Sequence, residues 1–405
     1  MPADECRTTV PDAATPTVHV LSARLAGAGP AGPAPGLAGL AGFLADVPDH
    51  RRARGRRHTL VSVLLLAAGA TVAGAKSLVA IAEWAADAPA SVLDELGVRR
   101  DPCGGALVVP SETTIRRALA GADPGAVDAR LSAWQAAVHA AGGGTQNVAV
   151  DGKAVRGAVQ ADGRAVHLLA AMTSSGAVLA QRNAEHKTNE ITQVKPLLDP
   201  LDLDGAIITL DAMHVQRETA RYLVEDKHAD YIFTAVKDNQ PKLFDALDAM
   251  AWDDAPAGHV MEDRGHGRRE RRTIQVLPAP DGMFPHAAQA FLIERKVENL
   301  DGTPRSHIAA LGITSASTAK AGPERLARGV RGHWGIENRL HYPRDVSWRE
   351  DNSKVRTGSA PQNMAALRNF AIGALRAAGW DNMAAGSRWA GRNYRNALSL
   401  LSFVT

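Results

Sequence analysis

The chain of 405 residues predicts an α/β protein, a mixed sheet with an all-helical region ahead of it. Residues 37–140 read as helices throughout, with an uncharged apolar run at Thr59–Ala75 and a helix-capping serine at Ser111. Residues 146–250 alternate short β-forming runs with helix-like segments. Residues 251–320 add three more β-like runs, Thr273–Leu277, Ala290–Val297 and His307–Thr314. This length suits two or three domains.

Residues 1–36 are rich in Ala, Pro and Gly and have little to bury, so disorder is expected there. They lack the basic start and compact apolar core of a signal peptide. The two cysteines, Cys6 and Cys103, are too few for a zinc ribbon or a disulfide framework, and a reducing cytoplasm fits them. The formal net charge of +3 is a mild bias, but the arginines are clustered. Arg51, Arg52, Arg54, Arg56 and Arg57 fall within seven positions. They read either as a solvated basic turn or as an arm whose guanidinium forks hold DNA phosphates. Thr59–Ala75 is shorter than the roughly 20 residues of a membrane-spanning helix and reads as a buried one. The helix opened by Ser111 carries Arg116 and Arg117, placed for a DNA groove or for an ordinary surface.

The stretch Gln146 to Gly157 is the pivot of the middle region. Val148–Val150 read as the end of a buried strand, where Asp151 and Gly152 follow. An Asp-Gly pair taken alone more often makes a hairpin turn than it marks a site. A second apolar strand, Ala206–Leu210, also ends in an aspartate, Asp211, and two such ends suggest a shared hard-metal site. Around them come strands at Ala165–Met172 and Ala177–Arg182, helices at Thr188–Leu198, Val215–Val224 and Pro241–Met250, and a strand at Tyr231–Val236. Three strands, a helix, a strand, a helix, a strand and a helix follow the ribonuclease H-like order.

The 251–320 segment would be a β-rich insertion into that fold, with Arg268, Arg269, Arg271 and Arg272 at its entrance and a turn at Asp301-Gly302. The final helix is expected in Glu324–Leu340. Leu326, Val330 and Trp334 recur there at four-residue steps, and Glu337 takes the next inward position. A glutamate on an apolar face requires an ion pair or a metal. Glu350 and Asp351 read as a solvated loop.

With these residues in hand, the chain resembles the DDE transposases of bacterial insertion sequences, in the group related to the H-repeat-associated proteins. The resemblance rests on Val47-Pro48-Asp49 through Arg57-His58, Pro110-Ser111-x-Thr113-Thr114-Ile115-Arg116-Arg117 and Asp151-Gly152-Lys153-x-x-Arg156-Gly157. It continues through Lys187-Thr188-Asn189-Glu190-Ile191, Asp211-Ala212-x-His214, Lys237-x-Asn239-Gln240 and His266-Gly267-Arg268-x-Glu270. It ends with His333-Trp334-x-Ile336-Glu337-Asn338-x-Leu340-His341 and Trp348-x-Glu350-Asp351. Together these motifs cover roughly residues 38–375.

The resemblance implies a ribonuclease H-like catalytic core with Asp151, Asp211 and Glu337 as its acidic triad. It implies Mg²⁺ as cofactor, with Mn²⁺ able to substitute, and double-stranded DNA as partner, both the transposon terminal inverted repeats and the target. Lys153, Lys237, His333 and Arg344 would join the arginine clusters against DNA. Val330 stands where related transposases carry tyrosine. A homodimer on DNA and a cytoplasmic, nucleoid-associated protein off the membrane are expected. The domains would be 1–36, a disordered segment; 37–140, a helical DNA-binding domain; 146–250 with 321–380, the catalytic domain; 251–320, the insertion; and 381–405, a C-terminal segment.

Elementary chemistry agrees. Two hard cations about 4 Å apart, held by carboxylates and the substrate phosphate, offset charge on the attacking and leaving oxygens of phosphodiester cleavage. The sequence holds no H-E-x-x-H motif, no nucleophile elbow and no P-loop, which disfavours a zinc hydrolase, an esterase and an ATP-driven enzyme. The competing readings are a transposase-derived nuclease and a DNA-binding regulator on an inert core.

Overall fold

The computed structural model describes residues 39–53, 56–139, 147–159, 163–184, 190–234, 240–265 and 267–401. The expected disorder at 1–36, Arg54 and Lys237 lie outside those residues. The strands are β1 (Asn147–Val159), β2 (Ala165–Thr173), β3 (Val178–Asn183), β4 (Ile207–Leu210), β5 (Asp230–Thr234), β6 (His259–Gly265), β7 (Arg268–Pro278), β8 (Gln289–Asn299) and β9 (Pro304–Thr314). They join in one mixed sheet of order β3-β2-β1-β4-β5-β9-β8-β7-β6. Strands β1, β4 and β5 run parallel, and every other neighbouring pair is antiparallel.

The two-residue period of a strand decides what each face carries. Val148, Val150, Ile208, Leu210, Tyr231 and Phe233 point to one side. There they pack on the helices α7 (Glu190–Leu198), α8 (Arg217–Arg221) and α9 (Pro241–Asp248) through side chains such as Val194, Leu197, Ala220 and Leu247. Ile207 and Ile232 point to the other side and meet Leu326 and Ala327 of α10 (Pro323–Ile336). A Cβ on Gly329 would stand 2.6 Å from Ile232 Cδ1, so this glycine lets α10 lie close on the sheet.

Among the described residues six helices precede the sheet: α1 (Leu40–Ala45), α2 (Leu60–Val72), α3 (Leu78–Ala86), α4 (Ala90–Glu95), α5 (Glu112–Gly121) and α6 (Pro124–His139). Thr59, Ser77 and Ser111 cap α2, α3 and α5 by accepting from backbone N–H groups. Helix α2 is buried on almost every side, which explains its uncharged sequence. After α11 (Tyr342–Val346) the chain closes with α12 (Ala360–Ala377), α13 (Met383–Gly391) and α14 (Tyr394–Leu400). Helix α12 packs into the same core as the first helices, with the rings of Trp134 and Phe370 at 4.9 Å, and this core also takes Ala149, Ala170 and Met172 from the sheet. Among the described residues no helix is long and apolar enough to cross a membrane.

Several expectations change. Strand β1 does not end at Asp151 but continues to Val159, and what ends at Val150 is its parallel pairing with β4. The expected helix Val215–Val224 begins at Arg217 and widens into a π-helical turn over Tyr222–Asp226. Four strands, not three, occupy the region after α9. Strand β6 lacks an apolar face because most of it is exposed, so it left no alternation to read.

Candidate active site

The register of β1 on β4 brings the two aspartates together. Val150 stands opposite Leu210, so Asp151 and Asp211 occupy the next position on each chain, where the parallel pairing ends. By parity both fall on the face covered by α10. That helix runs into a π-helical turn, Glu337–His341, whose first residue is Glu337. Asp151, Asp211 and Glu337 line one cavity of about 320 Å³ together with Thr234, His333 and Trp334.

Burial pushes the Asp151 carboxyl up to about 7, against a hydrogen bond from the Gly152 backbone, and the nearby charges of Asp211, Glu337 and Glu190 add to the rise. His341 Nδ1 lies 3.4 Å from Asp151 Oδ2. Burial first, then the charges of Arg344 and Lys153, push His341 down to about 3, so its ring is neutral at pH 7. His333 Nδ1 is 3.2 Å from Thr209 Oγ1, and burial lowers its pKa as well. The cavity thus collects negative charge that no cationic side chain among its lining residues offsets. Hard oxygen donors in such a setting suit a hard divalent cation. As they stand, no three Asp, Glu, His or Cys side chains among the described residues are close enough to hold one ion.

The route by which the sequence located Glu337 needs correction. Trp334 is 64% exposed and Val330 is half-buried, so the inward face of α10 is Leu326, Ala327, Gly329 and Ile336. Glu337 is exposed to the cavity and is not part of an apolar stripe. Glu350 is no solvated loop residue either. It is fully buried, with Oε2 2.7 Å from Arg344 Nη2 and Oε1 2.9 Å from Arg368 Nη1.

Two residues expected against DNA are spent in that network. Arg344 is fully buried on Glu350, and Lys153 is buried with Nζ 2.8 Å from Asp345 and 3.3 Å from Asp351. Each charge is already matched by carboxylate partners.

Residues 142–373 match the family model described as the transposase DDE domain, and residues 41–135 match the one described as DDE_Tnp_1-associated. The chain belongs to the DDE transposase family. Over 351 residues it is 29% identical to "Putative protein YbfL" of Escherichia coli (strain K12), covering 81% of this chain and 88% of that one. Over 351 residues it is 28% identical to "H repeat-associated putative transposase YhhI" of the same strain, with coverage of 81% and 88%. Over 354 residues it is 29% identical to "Putative transposase YncI" of Escherichia coli O157:H7, covering 82% and 86%.

The remaining basic residues of this DDE transposase separate by role. Arg51 is mostly buried, clamps Asp49 and donates to the His58 carbonyl, while Arg56 donates to the carbonyls of Asp49 and Arg51. These two hold the turn together, and Arg52 and Arg57 are exposed. Arg116 pairs with Glu112 one turn back, and Arg117 is exposed beside it. Alternation along β7 puts Arg268 and Arg272 on one face with Glu270, and Arg269 and Arg271 on the other. The first face lines a groove of about 800 Å³ against α10, where Arg264, Arg295, Arg331 and Arg339 also lie. Trp334 lines both this groove and the carboxylate cavity.

Sequence reasoning gave no role to Glu190, His167, His214 or His341. Glu190, His214 and His341 all sit inside the quoted motifs, so the signal was present, but only the fold shows what each one faces. Glu190 is 3% exposed, with His167 Nε2 against its Oε1 and His214 Nε2 3.3 Å from its Oε2. Burial raises this carboxyl, but hydrogen bonding and charge from His167 and His214 outweigh it and hold the group down at about 2.

Proposed function

We propose that this transposase nicks transposon ends and joins the freed 3′-hydroxyl to target DNA. The core would be ribonuclease H-like, with β6–β9 inserted ahead of the final carboxylate. The observation that carries this reading is the meeting of Asp151, Asp211 and Glu337, from three distant segments, around one cavity at the end of the parallel strands.

Asp151, Asp211 and Glu337 would hold the divalent cations, Mg²⁺ or Mn²⁺. Bound there, the cations would supply the positive charge that offsets the attacking and leaving oxygens of an in-line displacement. The chain's own groups do the rest. The neutral ring of His341 stands against Asp151, where it would help orient the carboxylate. His333, set against Thr209, forms a wall of the cavity without adding charge. The arginine-lined groove meets the cavity at Trp334 and would carry the DNA backbone toward the carboxylates.

The test uses the full chain on a transposon-end duplex with Mg²⁺ or Mn²⁺. The wild-type protein cuts it. Asp151→Asn, Asp211→Asn and Glu337→Gln bind the duplex within about twofold of wild type and lose cleavage, because phosphate contacts lie outside the cavity. Wild-type cleavage by Glu337→Gln would remove the third carboxylate from this reading.

A further inference from the structure

We infer that Glu190 is a positioning residue that ties the Asp151 and Asp211 segments to each other from behind the cavity, with His167 and His214 as its partners. This rests on the reading of Asp151 and Asp211 as the cutting carboxylates.

The contact with the first segment is through Gly152. A Cβ at that position would stand 2.5 Å from Glu190 Oε2 and 2.6 Å from Oε1. The Glu190 carboxylate therefore fills the space a side chain would need there and presses on β1 one residue past Asp151. This close approach accounts for the glycine in the Asp151-Gly152 pair, which sits inside a strand and makes no turn. His167, across from Ala154 on β2, holds the same carboxylate from the neighbouring strand.

The contact with the second segment is through His214. Its backbone N–H donates to the Asp211 carbonyl at 2.9 Å, closing the single turn Ala212–His214 that begins at Asp211. The next residue is held as well, since Gln240 Nε2 donates to the Val215 carbonyl at 2.7 Å. His214 is thus fully buried on a short, braced element, with its ring 3.3 Å from Glu190. A single side chain at the start of α7 touches both aspartate segments, which are 60 positions apart in the chain.

A buried charge is a poor device for stability alone, because apolar residues of the same volume usually serve as well. Its value here is geometric. The like charges of Asp151 and Asp211 repel, and their backbones must be held from outside the cavity if the carboxylates are to face one substrate phosphate.

The test compares Glu190→Gln, Glu190→Ala, Gly152→Ala and the Gly152→Ala/Glu190→Ala double variant with wild type. Four quantities are read on the full chain: melting temperature without metal, its rise on adding Mn²⁺, end-duplex binding and cleavage. Glu190→Ala is expected to bind the duplex as wild type does, to lose most of the Mn²⁺-induced rise, and to cut roughly tenfold to a hundredfold more slowly. Gly152→Ala should show the same losses by displacing the carboxylate. The double variant should be no worse than Glu190→Ala, because the clash has gone. If Glu190→Ala fails to fold, Glu190→Gln, which keeps the shape and removes the charge, carries the test with Gly152→Ala. Wild-type cleavage and a wild-type Mn²⁺ response in the Glu190 variants, or additive losses in the double variant, would overturn the tie. A wild-type protein that neither cuts nor gains stability from Mn²⁺ overturns the reading of the cavity, and the tie with it.

Discussion

Glu350 shows what a single residue can do without lining the cavity. Its carboxylate is enclosed by Arg344 and Arg368, with Lys153 at 3.8 Å. Burial alone would raise the group, but the charges of Arg344, Arg368 and Lys153 outweigh it and hold it at about 2. Because the folded value is depressed below an ordinary glutamate, the unfolded chain binds the extra proton in acid. The stabilisation is therefore full above about pH 4.5 and drains away as pH falls toward about 2. Glu350→Gln should destabilise by about 3–5 kcal/mol at pH 7, since it strands two buried guanidinium groups. Urea unfolding at pH 7 and at pH 3 checks this. Wild type should lose stability between the two, and the variant should lose distinctly less. No local pattern announces such a residue: its partners lie 6, 18 and 197 positions away, and the left-handed backbone at Arg349, with φ 49°, turns it inward.

The α10–π turn–α11 segment is where element and function meet. Pro343 has no N–H to give the Arg339 carbonyl one turn back, and Arg376 Nη2 donates to that carbonyl instead. The broken ladder coincides with the π turn that begins at Glu337. On the same segment Trp334 is 64% exposed between groove and cavity, a placement that suits stacking on a nucleotide base. Trp334→Ala should leave the melting temperature nearly unchanged yet weaken end-duplex binding by about 1–3 kcal/mol, with Trp334→Phe retaining most of it. Equal binding by wild type and the alanine variant would remove the stacking role. Elements of this kind divide by legibility. Strands β1, β2, β4 and β5 were readable because their apolar runs stand out between turn and helix segments. The stripe Leu326, Val330, Trp334 misled because four-residue steps drift around a helix, and the tryptophan ends up facing solvent. The carboxylates Asp151, Asp211 and Glu337 were grouped from the sequence by residue type and order, and they line one cavity. Glu190 and His341 were not, since their meaning lies in contacts across 38 to 190 positions of chain.

At the scale of the whole molecule, the helices of both chain ends share one core, and the sheet extends from that core to the exposed strands β6 and β7. This leaves the groove between β7 and α10 open at the molecule's arginine-rich side. Six arginines line it against Asp263 and Glu270. They are not equivalent. Arg272 and Arg295 clamp Glu270, Arg331 pairs with Asp263, and Arg339 donates to the carbonyls of Ser174 and Ser175. The side chains of Arg264 and Arg268 make no ion pair or hydrogen bond among the described residues, Arg268 acting on Glu270 only through its charge, so these two are best placed to meet a ligand. Each phosphate contact contributes about 0.9 to the slope of log affinity against log salt. The Arg264→Ala/Arg268→Ala double variant should therefore flatten that slope by roughly 2 and weaken binding to end and random duplexes alike, because phosphate contacts carry no sequence. Arg269 and Arg271 are the internal control. They belong to the same strand and the same run of charge, but alternation turns them to the opposite face. The Arg269→Ala/Arg271→Ala variant should keep the wild-type slope. Titrating both variants against one duplex at several salt concentrations separates a groove that holds DNA from a sequence segment that is merely basic, and equal slopes for the two would place the backbone elsewhere.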